Sequence, residues 1–276
     1  MYAAIFARTY PITRVSDVFS ALAADGYRGV QFNLLCAGLP SLPDHLPAGL
    51  AEDVGRQARR AGITMAALSG TYNMAHPDPA VRVASRAGFS TVVDAARRMG
   101  APVVTLCTGS RDPSAMWKRH PDNATAAAWR DLRVELDHAL MLAAAGGVTL
   151  AVEPEPGNVV CDAAAARRLL DEVASPHLGI VLDAANLLSP QSLPRQGSVV
   201  AEAVAVLGDA IVLAHAKDID AAGQVVAAGD GAVDLPGFVA ALRAVGYSGA
   251  LIGHGFGVEK APHVAAVLSH LAQAAS

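Results

Sequence analysis

The chain has 276 residues, of which 53% are hydrophobic and 17% charged, and its formal net charge is −4. That balance supplies a large buried core and excludes a long disordered chain. No stripe of Lys and Arg is present, so nucleic acid is not an expected partner, and no run reaches the roughly 18 apolar residues that a membrane span needs.

Strand-like and helix-like segments then alternate along the whole chain. Met1 leads straight into an apolar strand over Ala3–Ala7, with no charged leader or cleavage site. This strand runs into Arg8-Thr9-Tyr10-Pro11, not into the glycine-rich turn that follows the first strand of an open dinucleotide-binding sheet. Helical spacing of apolar residues predicts a helix over Val15–Ala24 that stops at Asp25-Gly26. A strand over Gly29–Leu34 follows, with Gln31 and Asn33 on one side of it. Next come a helix over Leu50–Ala61, a strand over Thr64–Ser69, a helix over Ala80–Met99 and a strand over Val103–Cys107. The second half repeats the pattern. Helices are expected over Ala124–Ala144, Ala163–Val173, Val199–Leu207, Leu235–Val245 and Val264–Ala274, and strands over Thr149–Glu153, Gly179–Asp183, Ile211–His215 and Ala250–Gly253. Short aliphatic strands buried on both faces are the mark of a parallel sheet. Eight of them alternating with eight helices, in a chain slightly longer than the typical 250 or so residues, predict a single α/β domain, a (β/α)₈ TIM barrel over residues 1–276.

Cys36, Cys107 and Cys161 form no metal-knuckle or paired spacing. An odd count without a secretion signal reads as reduced thiols in a cytoplasmic protein.

Four strands of the second half end on a residue that can bind a metal: Glu153, Asp183, His215 and His254. The gaps between them are 30, 32 and 39 residues, about one strand–helix unit each. A parallel barrel brings successive strand ends together on one rim, where such enzymes keep their chemistry. Two carboxylates and two imidazoles suit one divalent ion, drawn from Mn, Zn, Co, Fe and Mg. Each residue taken alone has a plainer reading as a helix cap or a carboxylate satisfied by backbone N–H groups; four successive endings favour a shared site. Glu153 lies in Val152-Glu153-Pro154-Glu155-Pro156-Gly157-Asn158, where the prolines stiffen the loop and set where both carboxylates point. A carboxylate there can act as the base that removes a proton next to a carbonyl. Strand alternation places Lys217 on the side of His215, as an oxyanion stabiliser or an ion-pair partner. Glu155 and Asn186 are read as substrate contacts, the second alternatively as a loop cap. The first half offers His76 after the third strand, and Arg111, Trp117 and His120 after the fourth, as further substrate contacts, with surface decoration as the alternative. A Trp in a polar loop suits the wall of a sugar pocket. Gly229-Asp230-Gly231 has the form of a phosphate-binding bend, a weak signal without a P-loop.

These motifs resemble the xylose-isomerase-like barrel superfamily and, within it, the sugar phosphate isomerase/epimerase group. The carriers are Gly26-Tyr27-Arg28-Gly29-Val30-Gln31, Ser69-Gly70-Thr71-Tyr72-Asn73-Met74, Glu153-Pro154, Val181-Leu182-Asp183-Ala184-Ala185-Asn186, His215-Ala216-Lys217-Asp218 and Gly246-Tyr247-Ser248-Gly249. The resemblance implies one divalent ion held by Glu, Asp, His and Glu, with the two glutamates moving protons on opposite faces of a ketose. Glu153, Asp183 and His215 match the first three ligands. The fourth position departs: His254 stands where the group usually has Glu, and the next glutamate is Glu259. The implied function is a metal-dependent isomerase or epimerase of a small sugar or keto-polyol, working through an enediolate with Glu153, His254 and Lys217 as catalytic groups. A lyase or dehydratase acting on a keto sugar at the same site, and a non-catalytic sugar-binding barrel, are the alternatives. The superfamily's endonuclease branch needs a basic groove and many more rim histidines. Members of the superfamily are often dimers or tetramers, which makes a homo-oligomer an expectation from the resemblance alone.

Overall fold

The computed structural model describes residues 1–274; the last two residues of the expected 1–276 domain lie outside the described residues. Eight parallel strands close into a barrel: β1 (Tyr2–Phe6), β2 (Gly29–Phe32), β3 (Thr64–Ser69), β4 (Val103–Cys107), β5 (Thr149–Glu153), β6 (Leu178–Asp183), β7 (Ile211–His215) and β10 (Ala250–Gly253). Closure is made by β1, which pairs with β2 on one side and with β10 on the other. Two short strands, β8 (Asp218–Ile219) and β9 (Val225–Val226), form an antiparallel ribbon in the loop after β7 that the sequence reading did not contain. At two residues each, they lack the alternation that marks a strand.

Eight helices surround the barrel: α1 (Val15–Ala24), α2 (Leu50–Arg60), α3 (Pro79–Met99), α4 (Ala126–Gly146), α5 (Ala163–Val173), α6 (Gln196–Leu207), α7 (Leu235–Ala244) and α8 (Ala261–Gln273). Side-chain caps set several of their starts. Asp78 accepts the Ala80 N–H at 2.8 Å before α3, Thr125 accepts the Ala128 N–H at 3.2 Å before α4, and Asp162 accepts the Ala165 N–H at 2.8 Å before α5. Thr125 explains why α4 begins two residues later than expected, since Pro121–Ala124 form a separate 3₁₀ turn. Helices α6 and α8 begin three residues earlier than expected, because their first turns precede the apolar face on which the expectation rested. Among the described residues no helix is long and apolar enough to cross a membrane.

Inside the barrel the strands alternate, and the inward positions form layers. A plug of mostly small residues, including Ala4, Ala67, Ala151, Val181, Leu213 and Ile252, fills the interior. Two residues further along each of four strands, on the same side, stand Glu153, Asp183, His215 and His254. The pairing register sets Glu153 level with Cys107, and Asp183 level with His215. The apolar plug is therefore the floor of the site.

Candidate functional site

Glu153, Asp183, His215 and His254 converge at the C-terminal mouth of the barrel, with one donor atom of each within 4.8 Å of all the others. Glu153, Asp183 and His215 are buried, and His254 is partly so. His215 Nδ1 lies 3.1 Å from Glu153 Oε1, and His254 Nε2 lies 3.2 Å from Asp183 Oδ2. The two imidazoles meet edge to face, with centroids 4.5 Å apart.

The surrounding hydrogen bonds fix how these donors point. The Gln31 amide donates from Nε2 to Thr105 Oγ1 at 3.2 Å, which turns its Oε1 toward His215 Nε2 at 2.8 Å. An acceptor facing Nε2 assigns the imidazole proton to that nitrogen. The Nδ1 lone pair of neutral His215 then faces the Glu153 carboxylate, a contact that requires a cation, proton or metal, between them. Asp183 Oδ1 accepts the Ala185 N–H at 2.9 Å, leaving Oδ2 toward His254 and Lys217. Asn186 donates to Glu153 Oε1 at 2.9 Å and accepts a hydrogen bond from Lys217. This chemistry of two oriented carboxylates and two imidazoles in a buried cluster fits a divalent ion.

Burial opposes ionisation of Glu153, but the positive charge and hydrogen bond of His215 outweigh it and hold the carboxyl below its usual range. Burial likewise opposes the charge of Asp183, and Lys217 and His254 overcome it. His215 is pushed up despite its burial, by Glu153 above all. His254 moves the other way, lowered by burial and by the neighbouring His215. Lys217 stays cationic because Asp183, Glu153 and Glu155 offset its burial. Glu155 is raised to about 7, by burial first and then by the charge of Glu153. Cys107 also approaches Glu153 and Glu155, but burial drives its thiol well above the usual range, so it is a neutral S–H 3.9 Å from Glu153 Oε2.

Above this cluster lies a cavity of about 400 Å³. Glu153, Glu155, His215 and His254 line one side of it, and Trp117, half-exposed, lines another. Strand β7 ends before Lys217, yet its ammonium still reaches the cluster, 3.4 Å from Asp183 Oδ2 and 4.0 Å from Glu155. Three expected contacts lie elsewhere. The His76 ring lies against its own loop, accepting the Asp78 N–H at 3.1 Å. Arg111 is buried in an ion pair with Asp131 at 2.7 Å and ties the loop after β4 to α4. His120 accepts the Asp122 N–H at 3.2 Å at the start of the 3₁₀ turn. None of the three lines the cavity. Glu259 is exposed and does not restore a fourth carboxylate to the cluster. The bend at Gly229-Asp230-Gly231 does hold an anion, but it is the protein's own: the N–H groups of Gly229 and Gly231 both donate to Asp218 Oδ2 at 3.0 Å.

Thr105, Arg8 and Asn158 are the features the sequence reading passed over. Thr105 orients Gln31. Asn158 accepts the Gly109 N–H at 2.8 Å and donates to Met116 O at 2.9 Å, which holds the Trp117 segment in place. A hydroxyl on the inward side of a buried strand was the available signal for Thr105; Asn158 left none.

The chain belongs to the xylose isomerase-like TIM barrel family, whose model matches residues 19–271. No curated protein matches it by sequence. Its structural neighbours include the 3-keto-D-glucoside 4-epimerase of E. coli, at 16% identity and TM-score 0.76 over 97% of this chain and 98% of the other. A D-tagatose 3-epimerase-like protein aligns at 14% identity and TM-score 0.78, over 98% of this chain and 97% of that one. An L-ribulose 3-epimerase aligns at 16% identity and TM-score 0.76, over 99% and 94%. At these identities the likeness is one of fold.

Proposed function

We propose that the protein is a divalent-metal-dependent isomerase or epimerase of a small keto sugar or keto-polyol, proceeding through an enediolate. The observation that carries this reading is the convergence of Glu153, Asp183, His215 and His254 beneath a cavity of about 400 Å³. The keto-sugar epimerases among the structural neighbours support it. Glu153, Asp183, His215 and His254 would hold the ion, whose chemistry when bound is to polarise the substrate carbonyl and stabilise the negative charge that forms on it.

Glu153 removes the proton next to that carbonyl. Its Oε1 is engaged by His215 and Asn186, so Oε2, beside Cys107, is the oxygen left to accept it. Lys217, held cationic by Asp183, donates toward the developing oxyanion. In an isomerisation Glu153 can return that proton to the neighbouring carbon; an epimerisation needs a second carrier, and His254 would fill that place as an imidazolium charged by a proton from solvent, the ion then being held by Glu153, Asp183 and His215. Trp117 offers an apolar wall for the sugar face.

Two measurements test the reading together: metal content of wild type, Glu153→Gln and Asp183→Asn, and exchange of substrate α-protons in deuterated water across a panel of keto sugars. One equivalent of metal, with exchange lost in Glu153→Gln, is the expected result. Metal-free protein that binds sugar without exchange, even after metal is added back, overturns the enzyme reading in favour of a sugar-binding barrel. Exchange accompanied by loss of water or an alcohol replaces isomerisation with elimination.

A further inference from the structure

We infer that the substrate bears a carboxylate at the end remote from its reacting carbonyl, seated by Arg8 and Asn33. This specifies the substrate class of the proposed function and rests on that reading.

Arg8 stands just past the end of β1, on the side of the strand from which Phe6 also reaches the cavity, and it lines that cavity. Its guanidinium is exposed, and among the described residues no carboxylate lies within ion-pair distance of it. Lys217, the cation beside the four-residue cluster, does not line this cavity and is already engaged by Asp183, Glu155 and Asn186. Arg8 is therefore the cation in this cavity with charge to spare.

Asn33 supplies the second, independent observation. It is only 3% exposed. Its Oδ1 accepts the Leu35 N–H at 3.0 Å and the Ser41 hydroxyl at 3.1 Å, which fixes the orientation of the amide. The opposite end, Nδ2, has no partner among the described residues, although Asn33 lines the cavity. This donor is open to the cavity and free to hydrogen-bond a ligand there. Asn33 follows Gln31 by two residues, just past the end of β2 and still extended, so it sits about 6.6 Å further along the strand direction than the amide that orients His215. That offset is within the span of a small sugar.

The donors suit a carboxylate better than a phosphate. A guanidinium takes one carboxylate bidentately. Phosphate sites are usually built from backbone N–H groups of a glycine-rich bend or a helix N-terminus, and the bend at Gly229-Asp230-Gly231 is filled by Asp218. Glu153 and Glu155 line the same cavity, and their negative charge disfavours a dianion more than a monoanion.

The test is binding and deuterium exchange with D-fructose, its terminal phosphate ester and D-fructuronate, and with D-ribulose and its terminal phosphate ester, on metal-supplemented wild type, Arg8→Gln and Asn33→Leu. Among the described residues the Arg8 side chain makes no hydrogen bond or ion pair, so Arg8→Gln should fold as wild type, as circular dichroism would verify. The expected result is that D-fructuronate binds at least tenfold more tightly than D-fructose, and that Arg8→Gln removes the difference while leaving D-fructose affinity unchanged. Equal affinity for the two, a preference for either phosphate ester, a preference that survives Arg8→Gln, or no binding of D-fructuronate at millimolar concentration each overturns the proposal. Failure of the two readings is separable. Exchange of neutral ketoses that depends on Glu153 but not on Arg8 keeps the enzyme and removes the carboxylate subsite. Arg8-dependent binding of D-fructuronate without exchange keeps the subsite and removes the isomerase.

Discussion

The two halves of the barrel rim are built on different principles. From β5 to β10 the functional side chains sit at the strand ends themselves, each two residues above an apolar plug residue, so the sheet alone places them. From β1 to β4 the cavity is lined by Arg8, Asn33, Thr105 and Cys107 among others, and much of the wall comes from loops knitted by side-chain amides such as Asn158. Chemistry that needs atoms held within a few tenths of an ångström is carried by strands, whereas the part that recognises a substrate is carried by loops that can vary without disturbing the sheet.

The largest expected effect is on the strand side. Glu153→Gln should lower α-proton exchange by about a thousandfold or more, within the range of losing a general base, while Trp117→Ala on the loop wall should cost less than tenfold in kcat and act mainly on KM. An equal loss in both, measured by NMR of the exchanging proton, would break the division between the halves.

Gln31 is where the division should blur. It lies in the first half yet orients a ligand in the second, so Gln31→Leu should weaken metal binding by roughly 10- to 100-fold, read by competition with a chromophoric chelator. Unchanged affinity would mean that His215 needs no orienting partner.

Metal affinity should also rise as pH rises through and above the ordinary imidazole range. The sign follows from His215: Glu153 raises its pKa, so in the metal-free protein Nδ1 holds a proton at the acid end that an incoming ion must displace. As pH rises through that raised pKa, the competition ends. A flat profile by calorimetry would remove His215 from the ligand set. Saturating metal at a hundred times its Kd should stabilise the fold by about 2.7 kcal/mol, a gain absent in Asp183→Asn.

Smaller effects are expected in the loops. Asn158→Ala leaves the buried Gly109 N–H without its acceptor and should cost about 1–3 kcal/mol in urea unfolding, with a rise in KM as the Trp117 segment loosens. His76→Ala and His120→Ala should change kinetics less than twofold and stability by under about 1 kcal/mol, since neither ring lines the cavity and each bonds only backbone groups of the surrounding loops. A tenfold kinetic loss in either would place the substrate closer to these loops than the cavity does.

The same contrast governs what could be read in advance. Five of the eight barrel strands have the expected bounds, among them β5 and β7, because apolar runs closed by glycine or a polar residue mark a buried parallel strand. The convergence of Glu153, Asp183, His215 and His254 follows from that periodicity, since one strand–helix unit always returns the chain to the same rim. His76, Arg111 and His120 are polar residues in loops after β3 and β4, as substrate contacts would be. Nothing in their spacing says that their hydrogen bonds are taken up by Asp78, Asp131 and Asp122.

The sequence by itself determined the barrel, its strand ends and the four donors, because alternation along a strand and repetition of the unit are local rules that act over a few residues. Only the tertiary structure decided which nitrogen of His215 faces Glu153, that Asp218 fills the glycine bend, and that Arg8 and Asn33 line the cavity with the guanidinium and Nδ2 unpartnered among the described residues. Each of these depends on a contact between residues far apart in the chain, such as Gln31 with His215 across 184 positions. Such contacts are set by how the closed barrel and its loops pack, and no local pattern encodes them.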